Sequence, residues 1–106
     1  MLDCYRVSLL MIADLKTVIP AIAKFDRDLS NQLQRAASSV ALNIAEGRLR
    51  QAGDQRRSFQ IAAGSCNEVK AALDVAETWG WVKPSDELRS YIERCLSMLW
   101  RMTHPR

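Results

Sequence analysis

Apolar side chains recur along this chain at intervals of three and four, the repeat of a helix that buries one face. From about Asp3 to Ala23 the first stripe is Tyr5, Leu9, Ile12, Leu15, Ile19 and Ile22, and Leu10, Met11 and Val18 widen it. A surface that wide predicts a helix touching more than one neighbour. Pro20, which has no N–H to donate, is expected to bend or tighten the last turn. A second helix is predicted from a cap at Asp26 or Asp28 to Glu46. It should stop at Gly47, since glycine accepts the left-handed conformation that closes helices. Leu29, Leu33, Ala36, Val40 and Ile44 form its stripe. Ala37, Ala41 and Ala45 extend it with side chains small enough for a neighbouring backbone to come close.

Arg48 to Gly53 reads as a basic connection, and Asp54 as a cap for a third helix running to about Trp79. Phe59, Ala62, Cys66, Val69, Leu73 and Ala76 follow a near-heptad pattern. Gly64 inside this helix costs roughly 0.5–1 kcal/mol relative to Ala, which predicts a close crossing by another helix. Gly80 should end the segment, with Trp81 and Val82 covering the end of the fold. Ser85, followed by Asp86 and Glu87, marks a fourth start, and Leu88, Ile92, Cys95, Leu99 and Met102 supply its stripe. The tail from Thr103 to Arg106 is expected to fray. Four amphipathic helices with short links predict an all-α fold, an antiparallel up-down-up-down four-helix bundle made by residues 1–106 as one domain. A core limited by this length leaves apolar surface to be buried against other copies.

Composition narrows the class. An apolar fraction of 48% excludes disorder. No apolar run approaches the ~20 residues of a membrane span, and Asp3 stands where a signal peptide carries positive charge. A cytoplasmic protein without membrane contact is expected. Cys4, Cys66 and Cys95 are odd in number and widely spaced, which predicts reduced, buried thiols rather than a disulfide framework or a zinc knuckle.

Candidate chemistry is sparse. The sole histidine, His104, lies in the tail, so Ser–His or Cys–His catalysis has no base to use. A ferritin-like di-iron site lacks its Glu-x-x-His units. The reading is therefore no enzyme, no catalytic residue, no metal and no cofactor. Glu46 and Glu68 fall beside core stripes, where a carboxylate must be paired or neutralised, and interhelical bonds to Arg35, Asn43 or Ser65 are expected. The formal charge is +3, but Arg48, Arg50, Arg56 and Arg57 face only Asp54 in a ten-residue stretch. Their forked guanidiniums suit phosphate contacts; a solvated connection is the plainer alternative. Trp79 and Trp81 read as packing at a helix end, with stacking on exposed bases as the alternative.

Three pieces carry a family likeness: Gln34-Arg35-Ala36-Ala37, Asn43-Ile44-Ala45-Glu46-Gly47 and Ile61-Ala62-x-Gly64-Ser65-x-x-Glu68. In order and separation they resemble the four-helix-bundle family of the 23S rRNA intervening sequence proteins. That family includes proteins similar to Avd, the accessory protein of diversity-generating retroelements. The resemblance implies a cyclic homo-oligomer, a homopentamer, with an accessory or nucleic-acid-associated role. RNA or DNA and a reverse transcriptase or other protein are the implied partners. Arg35, Asn43, Glu46, Gly47, Gly64, Ser65 and Glu68 match the motif and are read as architectural. Where the family has a Phe-Pro-Lys-Glu-like run, this chain has Lys24-Phe25-Asp26-Arg27-Asp28, and it is shorter and less basic than typical retroelement accessory proteins. Two functions follow: phosphate binding through Arg48, Arg50, Arg56 and Arg57, or a structural or protein-interaction ring without useful nucleic-acid affinity.

Overall fold

Three of the four helices start where a short polar side chain accepts a backbone N–H that no helical carbonyl reaches. The computed structural model describes residues 3–104. Asp3 accepts from the Arg6 N–H at 2.9 Å and opens α1, Cys4–Ala23. Asp26 accepts from the Leu29 N–H at 2.9 Å and opens α2, Arg27–Arg48. Ser85 accepts from the Leu88 N–H at 3.0 Å and opens α4, Asp86–Thr103.

The start of α3, Ala52–Thr78, departs from expectation. Its N-cap Gln51 makes no side-chain bond, and Asp54 lies inside the first turn instead of capping it. Ala52, at φ +49°, adopts the left-handed conformation that turns the chain sharply. Gln55 Nε2 then donates to the carbonyls of Gly47 (3.1 Å) and Arg50 (3.2 Å), tying the connection down. The basic link shrinks to residues 49–51.

Contacts between helices fix an alternating direction. Ser30 Oγ donates to the Ile19 carbonyl at 3.3 Å across α1 and α2, and Ser65 and Ser39 hydroxyls meet at 2.8 Å across α3 and α2. Between α3 and α4, Lys70 pairs with Glu93 at 2.9 Å, while Arg89 bridges Asp74 (2.8 Å) and Glu77 (2.6 Å). Helix α4 packs back on α1, closing the bundle. At about 1.5 Å per residue, the 27 residues of α3 account for the 42 Å long axis.

The α3 stripe is buried at every predicted position, from Phe59 to Ala76. On α1 the buried face is rotated. Cys4, Val7, Met11, Leu15 and Ile22 point inward, while Leu9 stays 44% exposed and Tyr5 half-buried. Helix α1 runs through Pro20 for another turn to Ala23.

The glycines sort differently from the sequence reading. Gly47 does not stop α2, which continues to Arg48 and ends on a right-handed Leu49. It is a packing glycine: a Cβ there would lie 2.6 Å from Cε1 of Phe59 and 3.1 Å from Cβ of Ser58. Gly64 is the reverse case, because among the described residues a Cβ there would meet nothing within 4 Å and no other helix packs closely on it. Gly80, at φ +82°, does close α3: its N–H reaches the Glu77 carbonyl and the Trp81 N–H reaches that of Ala76. Trp81 and Val82 pack on the core as expected. Thr103 is buried and helical rather than frayed, and the expectation for Pro105 and Arg106 lies outside the described residues.

Candidate nucleic-acid interface

Sequence proximity supplies four of the arginines at one end of the bundle, and bundle topology adds two more. The antiparallel arrangement brings the start of α1, the α2–α3 connection and the end of α4 to one end of the molecule. Among the described residues, Arg6, Arg48, Arg50, Arg56, Arg57 and Arg101 are exposed there, against the three side-chain carboxylates of Asp3, Glu46 and Asp54. Arg6 and Arg101 are absent from the sequence-read cluster because they are distant in the chain; the predicted topology was the signal that could have added them. The opposite end inverts the balance, with Asp26, Asp28, Asp74, Glu77, Asp86 and Glu87 against Lys24, Arg27, Lys83 and Arg89.

The four predicted arginines share this end but fan around it. Arg48 leans across to α1, its guanidinium 4.7 Å from the Tyr5 ring centroid and 3.9 Å from Asp3. Arg50 turns back along α2, donating through Nε to Glu46 at 3.0 Å. That carboxylate raises the guanidinium further above its ordinary value. Arg56 and Arg57 are exposed, and no ion pair engages them among the described residues. One helical step separates their directions by about 100°. Two arginines are thus held in place and two stand free.

The motif residues occupy the α2–α3 flank. Asn43 Nδ2 donates to the Ser39 carbonyl (2.9 Å) and approaches the Ser39 hydroxyl (3.1 Å), which in turn meets Ser65. Ser39, unmarked in the sequence reading, is the hub. Arg35 lines an open groove with Asn31, Gln34, Ser38 and Leu42. Contrary to expectation, Glu46 makes no interhelical bond among the described residues; it is exposed and bound to Arg50 one turn on. Glu68 is also exposed, so neither carboxylate carries the desolvation that would demand a buried partner.

The three cysteines, far apart in sequence, gather in the core. The Cys4 thiol is pushed far up by its hydrogen bond with Cys95 and by burial. For Cys95 the bond with Cys4 pulls downward, but the Cys66 thiol and burial outweigh it, raising the group to about 12. Thiols held protonated are poor nucleophiles. No described helix is long and apolar enough to cross a membrane.

Residues 2–101 match the family described as 23S rRNA-intervening sequence protein. No curated protein matches the chain.

Proposed function

The chain belongs to the 23S rRNA-intervening sequence protein family, and on that premise we propose that it is a homopentameric accessory protein that captures nucleic-acid phosphates on its arginine end. The family is non-catalytic, so its work is binding. One observation carries the phosphate reading: Arg56 and Arg57 stand exposed and unpaired among the described residues, beside four more arginines and only three carboxylates. Guanidiniums at such a surface displace condensed counterions from a phosphate backbone, which gives affinity without sequence preference. The mechanism is electrostatic capture and presentation to another protein. The likeness to Avd makes a reverse transcriptase one candidate for that protein.

Assembly multiplies the field, because a ring repeats the arginines of each subunit at fixed spacing. Leu42 (69% exposed), Ile61 and Val75 leave a partly apolar strip outside the α2–α3 pair, with Glu68 between Ile61 and Val75, the type of surface an oligomer buries. The open Gly64 lies on the same side of α3 as Ile61. Free thiols fit a reducing compartment, in keeping with a cytoplasmic protein. That same strip, and the engagement of Arg50 by Glu46, favour a second reading, a protein-interaction ring that leaves nucleic acid alone.

Retardation of short single- and double-stranded RNA and DNA across a salt series, with the particle mass determined in parallel, separates the two. A pentamer that binds in low salt and releases steeply as salt rises supports phosphate capture. A pentamer that shifts no nucleic acid in low salt supports the interaction ring and overturns phosphate capture.

A further inference from the structure

The last turn of α4 carries a stacked ring pair that the phosphate reading does not use. Trp100 and His104 lie with ring centroids 4.3 Å apart and planes 10° from parallel. The pair is held in place. The Trp100 carbonyl can only accept, so His104 Nδ1 donates to it, at 3.0 Å, and Thr103 Oγ1 lies 3.1 Å from the same nitrogen. Thr103 is buried and its hydroxyl donates to the Leu99 carbonyl at 2.9 Å, which anchors the turn. Trp100 nevertheless remains 59% exposed, although His104 covers one of its faces. That exposure leaves indole surface open beyond the His104 contact.

Helix geometry places this pair relative to the free arginines. The Lys70–Glu93 ion pair, at 2.9 Å, fixes the register of α3 against α4. Arg56 precedes Lys70 by fourteen residues, nearly four full turns, so the two lie on the same side of α3. Trp100 and His104 follow Glu93 by seven and eleven residues, which keeps them on its side of α4. At 1.5 Å per residue Arg56 stands about 21 Å along the bundle from the ion pair, Trp100 about 10 Å and His104 about 16 Å. The rings and the guanidinium therefore share one edge of the molecule, within about 5–10 Å along its axis. Arg101 is exposed beside them.

The molecule supplies its own contrast. Phe25, Trp81 and Trp79 form a second stack, with centroid spacings of 5.4 and 5.7 Å, and Trp79 is 68% exposed. That stack sits at the end where carboxylates outnumber basic residues. Aromatic surface is thus present at both ends, and cationic surplus at only one.

We propose that the Trp100–His104 stack accepts an unpaired nucleobase while Arg56 and Arg101 hold the adjoining phosphates, so that the ligand is a single strand. This rests on the phosphate reading above and specifies its ligand. Bases inside a duplex are stacked on one another and offer no free face to an indole, whereas every unpaired base has one. The site is indifferent to base identity, because stacking reads a π-face and guanidinium reads charge.

The test measures binding of a short fluorescein-labelled oligouridylate and of a blunt RNA duplex to the full chain across a salt series. Wild type, Trp100→Ala, Trp100→Phe and Trp79→Ala are compared, with helicity and thermal unfolding confirming that each variant is folded. Trp100→Ala is expected to weaken single-strand binding about 5- to 150-fold, the equivalent of one lost base stack. The slope of log affinity against log salt should stay unchanged. Trp100→Phe should retain most of the affinity, and duplex binding should barely move. Trp79→Ala should bind like wild type. Single-strand affinity unmoved by Trp100→Ala would overturn this site and leave the phosphate reading standing. Equal losses on strand and duplex would also overturn it, by showing that Trp100 acts through the fold. Wild type that binds neither probe would remove the phosphate reading and this inference together.

Discussion

Gly47 and Phe59 meet with no side chain between them: a Cβ on the glycine would sit 2.6 Å from Cε1 and 2.9 Å from Cδ1 of the ring. The contact joins the last turn of α2 to the first turns of α3. It therefore sets the spacing between Arg48 and Arg50 on one side and Arg56 and Arg57 on the other.

Gly47→Ala should destabilise the bundle by about 1–3 kcal/mol, because Phe59 must shift within a packed core. Gly64→Ala should do the opposite, stabilising a single subunit by about 0.5–1 kcal/mol through helix propensity alone, since its Cβ meets nothing. Urea unfolding of the two variants at subunit concentrations too low for assembly checks both. Equal shifts in the same direction would refute the distinction between a packing glycine and an open one.

Ala52 offers a second backbone test. Alanine to glycine inside a helix ordinarily costs roughly 1 kcal/mol. At φ +49°, however, the alanine Cβ is strained by roughly 1–2 kcal/mol, and glycine relieves it. Ala52→Gly should leave the unfolding midpoint unchanged or raise it slightly, and a clear loss of stability would contradict the left-handed start of α3.

The buried thiols predict a loss of stability in alkali. Both Cys4 and Cys95 are raised above the ordinary thiol value of 9.0, so above that value the unfolded chain releases protons that the folded chain keeps. Their contribution is fully present below pH 9.0 and is lost as pH climbs towards the folded value, about 12 for Cys95. The expected slope is about 1.4 kcal/mol per pH unit for each thiol. Unfolding at a series of pH values above 9.0, in wild type and in Cys95→Ala, measures it. A Cys95→Ala variant with the same alkaline slope as wild type would contradict the assignment.

Much of this fold was legible because three helices have stripes of one angular width. On α3, Phe59 through Ala76 could face inward in only one way, and the pattern named the core residue by residue. Helix α1 is apolar on too many sides for that; the periodicity put Leu9 on the stripe and passed over Val7, which packing buries while Leu9 stays exposed. Gly80 was read correctly, but Gly47 and Gly64 were misread because sequence shows a missing side chain and not what occupies the space, which is Phe59 at Gly47 and, among the described residues, nothing at Gly64. Of the arginine end, the contiguous run was visible. Arg6, Arg101 and the Trp100–His104 pair were not, because they join it only through the up-down topology. Glu46 was assigned an interhelical partner because it borders a core stripe, yet Arg50 one turn away satisfies it on the surface.

The free arginines can be separated from the held ones. Arg48→Ala should lower both stability and binding, the former by about 0.5–1 kcal/mol through loss of its seat on Tyr5. Arg56→Ala should lower binding alone. Thermal unfolding beside filter binding distinguishes them, and a stability loss in Arg56→Ala as large as in Arg48→Ala would contradict their assignment.

The most direct test of phosphate capture is the salt dependence of oligouridylate affinity in wild type and in the double variant Arg56→Gln, Arg57→Gln. If both arginines hold phosphates, log affinity falls linearly with log salt, and the double variant flattens that slope by about 1.4 for each subunit engaged on a single strand. Wild type that fails to bind at the lowest salt, or a double variant with an unchanged slope, would contradict the arginine end as the nucleic-acid surface.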